Sequence, residues 1–232
     1  MRIAIIQLPG SNCDRDTYYA LVSVFQQPTK LFWHKRDSLS GADAVIIPGG
    51  FSYGDYLRAG AIAQFSPVLK AVKEFAENGG LVLGICNGFQ VLCEMGLLPG
   101  ALIKNASLEF RCELAALTVE DSLDYFNVQS MGPNIQLPIA HGEGNYYIDD
   151  DGLAELEANR QILLRYRDNP NGSVGDIAGI RNKDANVFGL MPHPERAVEE
   201  QLHPSTDGIA FLKAFLYQAK IRAEAAAAQA DG

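Results

Sequence analysis

Short unbroken apolar runs alternate with stretches of helical spacing through the first half of the chain. Residues 2–8, 30–34, 43–47 and 81–85 are runs of strand length, and several lack the polar alternation of a half-exposed strand. That is the pattern of parallel strands buried on both faces. Residues 14–26, 67–78 and 89–95 space their apolar positions as helices do, and Gly79-Gly80 closes the second of them. Beyond Leu102 the pattern turns strand-like, at 115–120, 135–140, 162–166, 177–180 and 187–190, before a last helical stretch at 206–223. The alternation predicts an α/β fold: a doubly wound, mostly parallel sheet with helices on both faces and an antiparallel extension. No linker or repeat interrupts it, so residues 1–222 are expected to form a single domain. Residues 223–232 are rich in alanine with nothing to bury, which predicts a frayed tail.

Composition narrows the classes. A formal net charge of −9 argues against a nucleic-acid binder, which needs a basic face. There is no apolar run of about 18 residues, so no membrane span is expected. The opening MRIAIIQLPG is broken too soon for an export signal, and a cytoplasmic location is the expectation. Cys13, Cys86, Cys93 and Cys112 show no C-x-x-C spacing, so reduced thiols are expected. His34, His141, His193 and His203 show no metal-ligand spacing, and no metal is expected. Cys93, seven residues after Cys86, is expected to pack in the core. Cys13 sits in a turn-like loop after the first strand. Such loops line ligand crevices in open α/β sheets, but a plain loop thiol is the expectation there.

The chemistry-bearing residues lie at the ends of apolar runs. Gly84-Ile85-Cys86-Asn87-Gly88 stands between a strand and a helix. A cysteine flanked by glycines at such a turn fits a nucleophile elbow, with its sulfur at a helix N-terminus that favours thiolate. A small core cysteine is the alternative. Met191-Pro192-His193-Pro194-Glu195 follows the run 187–190. Two prolines fix the backbone around His193, and Glu195 is near enough to orient its ring, which completes a nucleophile–base–carboxylate set. A rigid loop with a capping histidine is the alternative. Pro48-Gly49-Gly50 after 43–47 lets backbone N–H groups approach a ligand. That suits an oxyanion hole, and equally a phosphate loop or an ordinary turn.

Together these residues resemble the class I (triad-type) glutamine amidotransferases, which have a flavodoxin-like sheet. The strings PGGFSYGDYLRAG at 48–60, PIAHGEGNY at 138–146, NGS at 171–173 and MPHPER at 191–196 resemble one branch, the small glutaminase subunits of phosphoribosylformylglycinamidine synthase. The resemblance runs from Met1 to about Phe215. It implies Cys86 as nucleophile, His193 as base and Glu195 as orienting acid. It also implies backbone N–H groups of Gly50 and Asn87 as the oxyanion hole, with Gln90, His141 and Gly142 near the substrate glutamine. No cofactor is implied in this chain. ATP and magnesium are implied on a large synthase subunit, which receives the ammonia beside a small third subunit. The alternatives are a glutaminase of another amidotransferase, or a catalytically silent binding subunit.

Overall fold

A computed structural model describes residues 1–56, 58–120 and 132–230. Its centre is a nine-stranded sheet built from β1 (Ile3–Gln7), β2 (Thr29–Trp33), β3 (Ala44–Ile47), β4 (Leu81–Ile85), β6 (Arg111–Val119), β7 (Asn134–His141), β9 (Ile162–Tyr166), β10 (Ile177–Arg181) and β11 (Val187–Leu190). The order across the sheet is β2-β1-β3-β4-β11-β10-β9-β6-β7. The first five pair in parallel and the rest antiparallel. Every residue of β3, β4 and β11 is buried, as strands covered on both faces must be. Along β6 and β7 buried positions alternate with more exposed ones, the mark of a sheet covered on one face.

The connection from β1 steps one way to β2, through α1 (Asp14–Tyr19), while β3 steps the other way to β4, through α2 (Pro67–Glu77). Right-handed crossovers therefore put the two helices on opposite faces, and the order reverses beside β1. Helix α2 starts with Pro67 at its first position and buries Val68, Leu69, Val72 and Ala76 as one stripe. Helix α3 (Asn87–Glu94) follows the elbow and packs on β3, β4 and β11. The fold is the flavodoxin-like one expected.

Some boundaries differ from the expectation. The helix predicted at 14–26 is α-helical only to Tyr19 and then widens into a π-turn over Ala20–Val24, closed by Phe25 N–H donating to Ala20 O at 3.1 Å. Two three-residue strands, β5 (Ala101–Ile103) and β8 (Asn145–Tyr147), pair with each other and are too short to show a period. Helix α4 (Asp150–Ala158) is capped by Asp149, whose carboxylate accepts from Gly152 N at 2.8 Å. It buries only Leu156, so its apolar period is weak. The last helix, α5 (Gly208–Ala230), outruns the predicted end at residue 223. Phe211, Leu212, Phe215 and Ala219 bury it against the body, and the exposed alanines beyond continue it by local propensity. Residues 231–232 of the expected tail lie outside the described residues. Among the described residues no helix is long and apolar enough to cross a membrane.

Candidate active site

Four C-terminal strand ends, those of β1, β3, β4 and β11, meet at one edge of the parallel sheet, joined by the end of β7. Ligands of open α/β sheets bind there. Register does the positioning. Ile85 stands opposite Leu190, so Cys86 N–H donates to Leu190 O at 2.8 Å and the chain enters the His193 loop beside the elbow. That loop is pinned from the other side by His193 N–H donating to Pro138 O at 2.8 Å.

Cys86 has φ +51° and ψ −106°, a conformation side chains avoid, at the N-cap of α3. The elbow holds it there because its neighbours are small: a Cβ on Gly88 would overlap the carbonyl of Ile47. The Cys86 thiol points at Ala140 O, 3.8 Å away. His193 and Glu195 are both buried, and Nδ1 pairs with Glu195 Oε1 at 2.7 Å. Burial pushes the His193 pKa down, but the Glu195 carboxylate, helped by the two neighbouring thiols, holds it well above the ordinary value. Nε2 has no hydrogen-bond partner among the described residues, and its neighbouring thiols are Cys86 and Cys13.

A small cavity of about 200 Å³ opens onto this group, lined by Cys13, Gly50, Phe51, Cys86, Phe110 and His193 among others. Gly50 is on its wall. Asn87 N–H lies in the first turn of α3, where a helix leaves its N–H groups without internal acceptors. A larger cleft of about 690 Å³ lies at the opposite ends of β4 and β11, away from the triad.

The remaining expected residues hold the walls in place. Gln90 is buried. Its Oε1 accepts from Asn87 Nδ2 at 2.8 Å and its Nε2 donates to Glu143 O at 2.6 Å, so its amide joins α3 to the 141–144 loop. The ring of His141 is buried beside Asn171, with Nδ2 of that residue 3.1 Å from Nε2. Burial, with a smaller push from His193, takes the His141 pKa down to about 4, so it is neutral at working pH. Its carbonyl accepts from Asn105 Nδ2 at 2.9 Å and the Gly142 carbonyl from Asn105 N at 2.9 Å. Asn105, Asn171 and Ser173 thus fix the loop whose start, Ala140, faces the thiol.

Residues 1–214 match a family described as the CobB/CobQ-like glutamine amidotransferase domain. The chain belongs to that glutamine amidotransferase family. Its relatives include the phosphoribosylformylglycinamidine synthase subunit PurQ of Synechococcus elongatus, 55% identical over 217 residues, covering 93% of this chain and 98% of the relative. The PurQ subunit of Helicobacter hepaticus is 56% identical over 225 residues, covering 96% and 100%. Among solved structures, a chain of PurLQS from Thermotoga maritima superposes with a TM-score of 0.84 at 44% identity, covering 93% of this chain and 97% of that one. A second Thermotoga maritima glutamine amidotransferase, at 14% identity and a TM-score of 0.63, shares the fold.

Within this amidotransferase site the structure also places residues that were not anticipated. Cys13, expected as a plain loop thiol, is buried in the cavity wall. Its thiol donates to Asn12 Oδ1 at 3.2 Å and accepts from Arg196 Nη2 at 3.0 Å, while Arg196 Nε donates to Asp16 Oδ2 at 3.2 Å. Cys93, expected in the core, is partly buried against it. Asp55 and Glu143 meet over the first turn of α3. Burial and then the Glu143 charge raise the Asp55 pKa to about 6. The signal for Cys13 was its place after β1. The pairing with Arg196 has no trace in the sequence order.

Proposed function

We propose that this chain is the glutaminase subunit of phosphoribosylformylglycinamidine synthase, supplying ammonia for conversion of formylglycinamide ribonucleotide to the amidine in purine biosynthesis. The likeness to PurQ subunits over nearly the whole chain supports the choice of synthase. The observation that carries the chemistry is the buried 2.7 Å pair of His193 and Glu195 beside the strained Cys86.

In this reading His193 already holds the proton of the Cys86 thiol as imidazolium, and the thiolate attacks the carboxamide carbon of glutamine. The tetrahedral oxyanion sits between the N–H groups of Gly50 and Asn87, each worth roughly 3 kcal/mol. His193 returns the proton to the leaving nitrogen, and ammonia departs from a thioester. Water, deprotonated by the same imidazole, then releases glutamate and restores the thiol. Glu195 holds the ring and stabilises its cation. The side chain of Gln90 helps hold the substrate glutamine, the backbone of His141 and Gly142 lies near its amino-acid end, and one domain over residues 1–222 carries the whole site. This chain needs no cofactor. ATP and magnesium act on the large synthase subunit, with a small third subunit completing the complex, as in an assembly of the PurLQS kind. Four free thiols suit a cytoplasmic enzyme.

The test is Cys86→Ala in the reconstituted synthase. Glutamine-dependent amidine formation should vanish while added ammonia still supports it. Ordinary glutaminase turnover by this variant would overturn the assignment.

A further inference from the structure

Cys13 has no part in that mechanism, yet its sulfur is held at the catalytic base, within 4.8 Å of a His193 ring nitrogen and a Glu195 carboxylate oxygen. The imidazole is neighbour to both thiols, Cys86 and Cys13, and each favours its protonated form. Both cysteines are buried in the wall of one cavity. Between them is the space that Gly49 leaves empty: a Cβ there would lie 3.1 Å from the Cys13 sulfur and 3.4 Å from the Cys86 Cβ. The Cys13 loop is fixed by its N–H donating to Gly49 O at 3.2 Å and by Thr17 Oγ1 donating to Cys13 O at 2.8 Å. Arg196 Nη2 donates to the Cys13 sulfur at 3.0 Å, a contact that strengthens when the sulfur is a thiolate. Burial still holds the Cys13 pKa above its ordinary value, against the pull of His193 and Arg196. The thiol therefore rests protonated, with a base and a cationic donor beside it.

We propose that Cys13 is the resolving thiol for Cys86: when a peroxide oxidises the nucleophile, the two close a Cys13–Cys86 disulfide, which switches glutamine hydrolysis off until a dithiol reduces it. The switch rests on the proposed role of Cys86 as nucleophile, and His193 serves each step. The Cys86 thiolate attacks one oxygen of hydrogen peroxide and the O–O bond breaks. The imidazolium proton goes to the departing hydroxide, leaving a sulfenic acid and water. The neutral imidazole then takes the proton of Cys13, whose thiolate Arg196 stabilises. That thiolate attacks the Cys86 sulfur, the S–O bond breaks, and the proton on His193 passes to the departing hydroxide as a second water. Two thiols and one peroxide thus give one disulfide and two waters, the sulfurs losing the two electrons that the peroxide gains. Closure asks for Cβ atoms ~3.5–4.5 Å apart, so the loops after β1 and β4 draw together across the gap at Gly49. The disulfide protects the enzyme, because a sulfenic acid left alone goes on to the irreversible sulfinic acid.

The full-length chain is treated with hydrogen peroxide, its remaining thiols are alkylated, and it is digested without reductant for mass spectrometry. Wild type should yield a Cys13–Cys86 linked peptide two hydrogens lighter than its parts, a readout that survives if Cys13→Ser folds poorly. Glutaminase activity should fall as that peptide appears and return with dithiothreitol. In Cys13→Ser the peroxide should still inactivate, with Cys86 found as sulfinic acid. Dithiothreitol should then restore at least tenfold less activity, relative to that variant's own untreated rate. Cys112→Ser, at an exposed thiol on β6, should keep the wild-type pattern. Absence of the linked peptide from inactivated wild type, or full recovery in Cys13→Ser, would overturn the proposal. Failure of the triad reading shows separately, as glutaminase activity in untreated Cys86→Ala.

Discussion

A Cβ on Gly49 would stand 2.7 Å from Cε1 of His193, and 3.1 Å from the Cys13 sulfur. The absence of a side chain at Gly49 is therefore what lets the imidazole lie between the strand ends. The Cys86 Cβ lies 3.4 Å from the same point, in ordinary contact.

Gly49→Ala should accordingly displace His193 rather than unfold the protein. Overpacking of this kind costs about 1–3 kcal/mol. If that falls on the position of the base, kcat/KM drops ~10- to 100-fold. Steady-state glutaminase kinetics alongside a thermal melt would separate the two effects. Unchanged kinetics would mean that the ring tolerates movement.

His193 and Glu195 should differ in what their loss costs. His193 moves the proton in both half-reactions, so His193→Ala removes acid and base together. Glu195 acts only through the ring, and Glu195→Gln should be milder by about tenfold or more. It should also change a titration. With the carboxylate gone, burial is left as the main influence on the imidazole, so its pKa must fall relative to wild type. NMR titration of the His193 ring checks the direction, and an upward shift would contradict the electrostatic account.

Much of this site was legible because local sequence dictates local geometry. Gly84 and Gly88 around Cys86 give the elbow, and two prolines around His193 give its loop. The strands were legible for the same reason: β4 and β11 are unbroken apolar runs, β9 is interrupted only by Arg165, and all three have the boundaries expected. What escaped depends on contacts between distant segments. Cys13 reads as a loop residue until Arg196 and His193 arrive beside it. The internal partners of the Gln90 amide, Asn87 and Glu143, were likewise out of view in the sequence. Helix α4 was hidden by its single buried residue, although its Asp149 cap was in view.

His141 should make the protein acid-sensitive. Its folded pKa, about 4, lies below the ordinary histidine value of 6.5. The folded state thus holds the ring neutral while the unfolded chain takes a proton as pH falls through about 6.5. Its contribution is complete above that pH and is lost as pH falls toward 4, by on the order of 3 kcal/mol. Asp55 works in the opposite direction, since its pKa is raised and protonation near pH 6 relieves the fold. Comparing urea melts of wild type and His141→Asn between pH 7.5 and about 4.5 isolates the histidine. The gap between them should narrow as the pH falls, and a constant gap would remove His141 from the account.

The loop carrying Gly50 should respond to the synthase partner. It is tied to α3 by Ser52 N–H donating to Asn87 Oδ1 at 3.1 Å, by Asn87 Nδ2 donating to Asp55 at 3.3 Å and by the two-pronged Arg58–Glu94 pair. Ala59 N–H reaches Glu143 Oε2 at 3.3 Å. Asn87 supplies one proposed oxyanion donor from its backbone and grips the loop of the other through its side chain. Any shift of the loop is therefore felt at both. The loop also holds Tyr53 and Asp55 at positive φ, a left-handed backbone that side chains adopt at a cost. Tyr56 projects from it, 73% exposed, where a docking subunit can press. The expectation is that docking sets the Gly50 peptide, so that kcat/KM for glutamine in the substrate-loaded complex exceeds that of the isolated chain by about tenfold or more, a gap of ~1.4 kcal/mol in the barrier. Tyr56→Ala should reduce this stimulation and leave the rate of the isolated chain as it is. Equal kcat/KM for the isolated chain and the complex would show that the loop is set without a partner, and the gating account would fall.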